Sequence, residues 1–298
     1  MQIIEDKTLL LRTRYPDKIQ NVDTARVVDI TEDIYTMTVS WNLDNAKDLT
    51  ELKMKNVPSP IMRDYAWGGV FPPMEHQKAT AEFLTLNPRA FCFNEQGTGK
   101  TAACIWASDY LLDMGEINRV LIVSPLSIMQ SAWQTDLFQF AVHRSVGIAY
   151  GSKEKRVEVI EADYDYVVVN YDGVNVIQEE IKAGKFDLII IDEANAYKTA
   201  TTKRWKTMAR IIEEHTMVWM LTGTPAAQSP VDAHGLAKLC VPHNVARAKA
   251  TYRDLVMYQI SRFKWIPKPD ALDTVFRTLQ PAIRFTKEEC LDLPDIVY

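Results

Sequence analysis

The chain has 298 residues, 47% of them hydrophobic and 24% charged, and its formal net charge is −5. These values are typical of a soluble globular protein with one large or two modest domains. They exclude an overall basic surface for nucleic acid, although not a local basic groove. No apolar run approaches the roughly 20 residues that cross a bilayer, and the N-terminus lacks the pattern of a signal peptide.

The 4 cysteines, Cys92, Cys104, Cys240 and Cys290, lie far apart without a C-x-x-C pair. This spacing favours reduced, mostly buried thiols over zinc and predicts an intracellular protein.

Residues 1–66 predict a small α+β module that ends at a Pro-Ser-Pro linker. In Ile34–Trp41 the odd-numbered residues are the apolar ones, which is typical of a half-buried strand. The elements predicted before and after it are a strand over Leu9–Arg14, a short helix after Tyr15, a strand over Val27–Ile30 and a helix over Asn42–Met54. The module is either a separate recognition domain or an extension that packs on the main domain.

Residues 67–298 predict a larger α/β domain, because short apolar strands alternate with helix-length segments. Such strands belong to a mostly parallel sheet with helices on both faces, and the chemistry of such sheets lies at the carboxyl ends of the strands. Helices are predicted over Ser127–Phe140, Gly173–Ile181 and Lys203–Glu213. The predicted strands are Ala90–Phe93, Val120–Val123, Val146–Ala149, Tyr166–Val169, Leu188–Ile191 and Val218–Leu221.

A glycine-bearing turn follows the first of these strands and opens a helix that Gly115 is placed to end. Strand, glycine turn, Gly-Lys-Thr and helix form the context of a phosphate-binding loop. Backbone N–H groups would surround phosphate oxygens, Lys100 would reach the β- and γ-phosphates, and the Thr101 hydroxyl would ligate Mg²⁺. Asn94 stands where the general pattern has its first glycine. The alternative is a chance Gly-x-Gly-Lys in a surface turn.

Two adjacent carboxylates, Asp192 and Glu193, follow the strand Leu188–Ile191. Carboxylates at the end of a buried strand are costly unless they hold a cation or a water molecule. We expect Asp192 to share Mg²⁺ with Thr101 and Glu193 to orient and deprotonate the attacking water. The alternative is a pair that caps the next helix.

Smaller polar groups stand at other strand ends. Thr222 and Thr224 follow the last predicted strand and could sense the γ-phosphate through the segment from Asp192 to Asn195. Three further residues could meet a nucleic-acid backbone or serve only as loop residues: Ser124, Asn170 and Tyr171. Gln77, at the start of a helix that ends near Leu84, can pair with an adenine edge or be solvated surface.

In combination and in this order, these segments resemble the first motor lobe of superfamily 2 helicases, above all the Snf-type double-stranded-DNA translocases. The resemblance runs from about Pro73 to the C-terminus. Its closing stretch, Ala282–Glu289 with Leu293-Pro294, resembles the segment that leads out of the first lobe, although Phe285 stands where a second arginine is usual. The other matching segments are His76-Gln77, Asn94–Thr101, Leu121–Trp133, Val168–Tyr171, Asp192–Lys198 and Leu221–Pro225.

The resemblance implies a RecA-like P-loop NTPase lobe that uses ATP and Mg²⁺. Gln77 would read adenine, and Lys100, Asp192 and Glu193 would be catalytic. Thr222 and Thr224 would couple ATP to DNA, and Asn195, which replaces a more usual His or Asp, would belong to the same coupling. Ser124, Asn170 and Tyr171 would lie toward the DNA. The residues implied for the phosphates are Glu95, Gln96, Gly97, Thr98, Gly99, Lys100 and Thr101.

The function implied is the N-terminal, ATP-binding half of a DNA-dependent ATPase that acts on duplex or forked DNA. A second RecA-like lobe with an arginine finger, in the full-length protein or in a partner, would complete it. Without that arginine, related phosphoryl-transfer enzymes lose on the order of 10³–10⁵ in rate, so slow turnover is expected. The N-terminal module, with Arg12, Arg14 and Trp41, resembles the small substrate-recognition domain of annealing helicases and phage fork-remodelling helicases. No membrane association or oligomer is indicated.

Two other functions are alternatives to this one. A regulatory module would bind nucleotide or DNA without turnover, but the intact Lys100 and Glu193 speak against a degenerate site. A P-loop kinase or ring ATPase is disfavoured because such enzymes have no evident use for the Thr222–Pro225 stretch or for the Pro73–Gln77 segment.

Overall fold

The computed structural model describes residues 1–226 and 228–290. Its strands are β1 Gln2–Ile4, β2 Thr8–Thr13, β3 Arg26–Thr31, β4 Ile34–Ser40, β5 Arg89–Cys92, β6 Val120–Ser124, β7 Val146–Ala149, β8 Tyr166–Asn170, β9 Leu188–Ile191, β10 Met217–Leu221, β11 Met257–Ser261, β12 Lys264–Pro267 and β13 Ala282–Ile283. Its helices are α1 Leu43–Glu51, α2 Ile61–Asp64, α3 Glu75–Leu86, α4 Lys100–Asp113, α5 Thr135–Phe140, α6 Lys153–Glu161, α7 Tyr171–Val176, α8 Gln178–Ala183, α9 Lys203–Ile211, α10 Ala233–Cys240, α11 Lys249–Val256, α12 Ala271–Thr278 and α13 Lys287–Cys290. Short 3₁₀ turns cover Pro16–Lys18, Leu126–Ile128, Ala194–Tyr197, Pro230–Asp232 and Pro242–Asn244.

The central sheet has seven strands in the order β13-β5-β10-β9-β6-β8-β7, and every neighbouring pair is parallel. The predicted parallel α/β fold is confirmed. Six of the strands match the six apolar runs to within one residue. The seventh, β13, was not predicted, because a strand of two residues has no periodicity to detect.

Helices cover both faces of this sheet, since alternate residues of each strand belong to different buried clusters. Phe91 packs with residues of α6 to α12, whereas Ala90 and Cys92 pack with residues of α1 to α5. Strands buried on both faces read as continuous apolar runs, which is why they were visible in the sequence.

The N-terminal residues form a four-stranded antiparallel sheet in the order β1-β2-β4-β3. Met37, Val39 and Trp41 are buried in a cluster with Leu9 and Leu11, so the predicted apolar face of β4 is confirmed. Helix α1 packs on this cluster through Leu49, yet its Leu43 and Ala46 are buried among residues of α3 and α4. The boundary at residue 66 stays a prediction.

Two of the predicted helices are interrupted. The segment predicted as one helix over Ser127–Phe140 is a 3₁₀ turn, then a π-helical stretch over Met129–Gln134, then α5. The segment Gly173–Ile181 is divided between α7 and α8 at Ile177, whose φ of −122° and ψ of 37° are not helical.

No helix of the described residues is long and apolar enough to cross a membrane.

Candidate active site

The glycine turn between β5 and α4 has the backbone that its sequence requires. Gly97 has φ +88° and Gly99 has φ +78°, in the left-handed region that favours glycine. A Cβ on Gly99 would lie 2.1 Å from Nε2 of Gln77, so the Gln77 side chain would have to move away from the loop to admit one. Lys100 and Thr101 follow at once as the first residues of α4. A glycine turn that leads into a helix N-terminus suits phosphate oxygens, because its backbone N–H groups and the positive end of the helix attract anions.

The first turn of α3 is attached to this loop through one carbonyl oxygen. Both Nε2 of His76, at 2.8 Å, and Nε2 of Gln77, at 3.2 Å, lie within hydrogen-bonding distance of the Thr98 carbonyl. The Oε1 of Gln77 accepts from the Met74 N–H at 3.0 Å. Gln77 therefore borders the loop, as its predicted role in adenine recognition requires, and that role stays a prediction.

Asn94 explains why the first glycine of the general pattern is absent. Its side chain is 1% exposed, its Nδ2 donates to Oγ1 of Thr80 at 2.8 Å, and its Oδ1 accepts from the Phe285 N–H at 3.0 Å. The amide thus connects α3, the phosphate loop and the segment after β13. A glycine here would leave both partners without these bonds.

The segment after β13 runs along the phosphate loop. The Glu95 N–H donates to the Phe285 carbonyl at 3.0 Å, and its Oε2 accepts from the Lys287 N–H at 3.1 Å. The Lys287 side chain passes over Gly97, with Cε 3.3 Å from the position of a Cβ there. Sequence reasoning did not find this contact, because the two stretches are about 190 residues apart.

The acidic pair lies at the carboxyl end of β9. Asp192 is 8% exposed; its Oδ2 accepts from Nε1 of Trp133 at 2.9 Å and its Oδ1 from the Glu193 N–H at 2.9 Å. Burial raises the pKa of Asp192, while these hydrogen bonds and the charge of Lys100 oppose the rise. Burial and the Asp192 charge likewise raise the pKa of Glu193, whose backbone has φ +45°. Carboxylate oxygens at this position fit Mg²⁺.

Replacing Trp133 with phenylalanine is expected to make Mg²⁺-dependent nucleotide binding fail at a higher pH. The indole N–H stabilises the ionised form of Asp192, so its loss raises the pKa of that carboxyl further. A hydrogen bond to a charged group is worth about 1.5–3 kcal/mol, so the midpoint of the acid limb should rise by about one to two pH units. The midpoint is obtained by measuring the affinity for a fluorescent ATP analogue, in the presence of Mg²⁺, over a series of pH values.

Trp106→Phe is the matched control for that experiment, because Trp106 is also a buried indole that donates its Nε1–H, but to the Gly68 carbonyl. It should leave the pH midpoint unchanged. Equal midpoints in wild type and Trp133→Phe would contradict the role given to the Trp133–Asp192 bond.

Two loops of the site are joined by Asn195. Its Nδ2 donates to Oγ1 of Thr222 and to the Thr224 carbonyl, both at 3.0 Å. The Tyr171 hydroxyl donates to the Asp192 carbonyl at 2.6 Å, and the Arg204 guanidinium lies 4.7 Å from its ring centroid. Burial raises the pKa of Tyr171 far above its usual range, so the phenol stays a donor. The structure therefore brings the acidic pair, Asn195, Thr222 and Tyr171 together.

Ser124 and Asn170 lie deeper than their predicted roles favour. Ser124 is fully buried at the end of β6. The Oδ1 of Asn170 accepts from Nη1 of Arg156 at 3.0 Å inside the protein. Burial does not favour a direct DNA contact of either side chain, and their predicted roles stay untested.

Among the other phosphate-loop residues, Gln96 and Gly97 are exposed and Thr98 is buried.

Comparison with known proteins identifies the family. The SNF2-related domain matches residues 76–282, more than half of the chain. This chain belongs to the SNF2-related domain family. The resemblance to a Snf-type superfamily 2 helicase lobe is thereby confirmed, and so is the RecA-like fold of the lobe.

The SNF2-related lobe has relatives among large proteins. It is 26% identical over 205 residues to Helicase swr1 of Schizosaccharomyces pombe, covering 65% of this chain and 15% of that protein. With Helicase SWR1 of Saccharomyces cerevisiae it shares 28% identity over 269 residues, covering 83% of this chain and 17% of the relative. The chain thus spans less than a fifth of either relative.

A solved structure shares the fold of the lobe. The Sulfolobus solfataricus SWI2/SNF2 ATPase core in complex with dsDNA matches with a TM-score of 0.63 and 20% identity, over 74% of this chain and 46% of that one. The Sulfolobus solfataricus SWI2/SNF2 ATPase core domain matches with a TM-score of 0.53 and 20% identity, over 71% of this chain and 43% of that one.

Proposed function

We propose that this SNF2-related chain is the ATP-binding half of a DNA-dependent ATPase of the helicase or double-stranded-DNA translocase type. One observation carries the proposal: the glycine loop and the acidic pair lie at the same edge of the sheet, after strands β5 and β9, which flank β10. A phosphate cradle and a metal-binding carboxylate in that relation suit phosphoryl transfer from a nucleoside triphosphate. The relatives named helicases support the same class of activity.

The residues of the cradle have distinct proposed roles. Backbone N–H groups of Gly97, Gly99, Lys100 and Thr101 hold phosphate oxygens, Lys100 neutralises their charge, and Gln77 faces the adenine. Thr101 and Asp192 hold Mg²⁺, which neutralises charge on the phosphates when bound. Glu193 takes the proton of the attacking water, a task that its raised pKa favours.

Coupling to DNA is proposed to run through Asn195. Its hydrogen bonds to Thr222 and Thr224 connect the segment after the acidic pair to the loop after β10. A structural change at the γ-phosphate is thereby transmitted to that loop. DNA is the proposed partner because the Sulfolobus core is described in complex with dsDNA. We further propose that the lobe works inside cells with a second RecA-like lobe, and that residues 1–66 contribute to substrate recognition.

ATP turnover with and without DNA tests the function. It is measured with no DNA, with duplex DNA and with forked DNA, on the 298-residue chain and on a longer chain that continues into a second RecA-like lobe. We expect ATP binding by both chains and DNA-stimulated turnover by the longer one. Rapid DNA-stimulated turnover by the 298-residue chain would contradict the need for a second lobe. Bound ATP without turnover in either chain would favour a regulatory binding module.

A further inference from the structure

Strands β11 and β12 form a two-stranded hairpin that is separate from the other two sheets and lies between α11 and α12. Arg262 and Phe263 form its tip, and Phe263 is 86% exposed. Tyr258 lies opposite Ile266 in the register, so the two share one face of the hairpin, and Tyr258 is 53% exposed. An aromatic ring held this far into solvent contributes little to the core and is available to a ligand.

Positive charge is concentrated on the same stretch. Residues 247–268 contain six basic side chains, Arg247, Lys249, Arg253, Arg262, Lys264 and Lys268, and one acidic side chain, Asp254, in a chain whose net charge is −5. Asp254 is paired with Arg253 at 3.2 Å. Two more carboxylates, Asp270 and Asp273, follow at the start of α12. Within 247–268 the balance is basic, which makes this the local basic feature that the overall composition left open.

Cations lie over aromatic rings along the hairpin. The Arg253 guanidinium is 3.8 Å from the Trp265 ring centroid, and the Lys268 ammonium is 5.2 Å from that of Tyr258. Lys268 also donates to the Asp254 carbonyl at 2.6 Å. These contacts tie the base of the hairpin to α11. At the tip the Arg262 guanidinium lies 5.4 Å from the Phe263 ring centroid, and Arg262, Phe263 and Lys264 are all exposed.

The helix that leads into the hairpin packs against elements that follow the edge of the sheet carrying the active site. Helix α10 begins at that edge, where Gly235 meets the Lys198 carbonyl just after the Asn195 segment. Helix α11 packs against the preceding turn, Pro230–Asp232, and its Tyr252 ring lies 5.7 Å from that of His234 in α10. The chain enters the hairpin directly after α11.

We propose that this hairpin binds DNA, with Phe263 stacked on an unpaired base and Arg262 and Lys264 on the adjacent phosphates. The proposal rests on the proposed function for its substrate, and it adds a contact that needs single-stranded or forked DNA. Aromatic rings stack on any base and basic side chains track the backbone, which is the usual chemistry of single-strand binding. Ile260 and Ile266 on the hairpin are exposed as well, at 57% and 39%. The tip itself carries Arg262 and Lys264 beside Phe263, and this basic charge favours the phosphates of DNA over a protein partner.

Binding of fluorescein-labelled forked DNA, single-stranded DNA and blunt duplex is measured by anisotropy with wild type, Phe263→Ala and the double variant Arg262→Gln/Lys264→Gln. Phe263→Ala is expected to weaken binding to fork and single strand by about 5- to 100-fold and binding to blunt duplex much less. The double variant should reduce the slope of log affinity against log salt by about 1 to 2. A fluorescent ATP analogue reports in parallel that each variant retains its nucleotide site.

Matched controls are an exposed phenylalanine and two exposed lysines elsewhere. Phe138→Ala, on α5, and Lys182→Gln/Lys185→Gln, before β9, should bind all three DNAs as wild type does. If wild type binds DNA and the hairpin variants bind it with the same affinity, the hairpin proposal is overturned and the proposed function is left standing. ATP binding without any DNA binding by wild type would overturn both the hairpin and the DNA dependence. Suppose instead that wild type sediments as a dimer, that Phe263→Ala sediments as a monomer, and that the DNA affinity is unchanged. The hairpin would then be assigned to self-association.

Discussion

Replacing Glu193 with glutamine is expected to slow ATP hydrolysis by about 10²–10⁴-fold, the usual contribution of a general base. Glutamine keeps the size of the side chain and cannot accept the proton of the attacking water. Because Glu193 is exposed and no hydrogen bond attaches its carboxylate to the described residues, the fold should be unaffected. ATP affinity should change little, whereas Lys100→Ala should lower both affinity and rate, since Lys100 is the residue proposed to neutralise the phosphate charge.

Single-turnover hydrolysis of radiolabelled ATP in the presence of DNA measures this prediction even when turnover is slow. Glu214→Gln is the matched control, because Glu214 is an exposed glutamate that lies before β10, at the opposite edge of the sheet. It should hydrolyse ATP at the wild-type rate. If Glu193→Gln did the same, Glu193 would not be the base, and the acidic pair would serve only Mg²⁺.

Replacing Gly235 with alanine is expected to destabilise the protein by about 3 kcal/mol. A Cβ there would lie 2.1 Å from the Lys198 carbonyl oxygen and 2.4 Å from its carbon, and backbone atoms cannot turn aside as a side chain can. Helix α10 would have to move away from the segment that follows the acidic pair. The 2.8 Å hydrogen bond from Nε1 of Trp205 to the Gly235 carbonyl would be strained by the same movement.

Urea unfolding of the two proteins gives the difference in the free energy of unfolding. Gly68→Ala is the control, since the nearest atom to a Cβ there is the Phe140 carbonyl oxygen at 3.7 Å, an ordinary contact. That variant should stay within about 0.5 kcal/mol of wild type. Wild-type stability of Gly235→Ala would contradict the close approach of α10 to Lys198.

The six long strands and the order of the site along the chain were predictable from sequence. Buried parallel strands are apolar on both faces, so Leu188–Ile191 stands out without any tertiary information. The glycine turn could be recognised as well, because the left-handed backbone found at Gly97 and Gly99 favours glycine. The placement of Asp192 and Thr222 at one edge follows from parallel strands alone.

What the sequence could not determine depends on contacts between distant segments. Asn94 could be recognised as a departure from the glycine pattern, but its role became visible only when Thr80 and Phe285 were placed on either side of it. The burial of Ser124 and Asn170 was likewise decided by neighbouring elements, as Arg156 shows for Asn170.

The amino-acid sequence by itself therefore determined the sheet, the phosphate loop and the order of the polar strand ends, since these are local patterns of period and residue type. The tertiary structure alone decided which of those polar groups face the site. It also decided that the segment from Pro281 to Lys287 runs along the phosphate loop. It made the basic, aromatic hairpin at Phe263 visible as a single exposed feature. The physical reason is that burial and long-range hydrogen bonds belong to pairs of segments, and neither member of a pair carries the information alone.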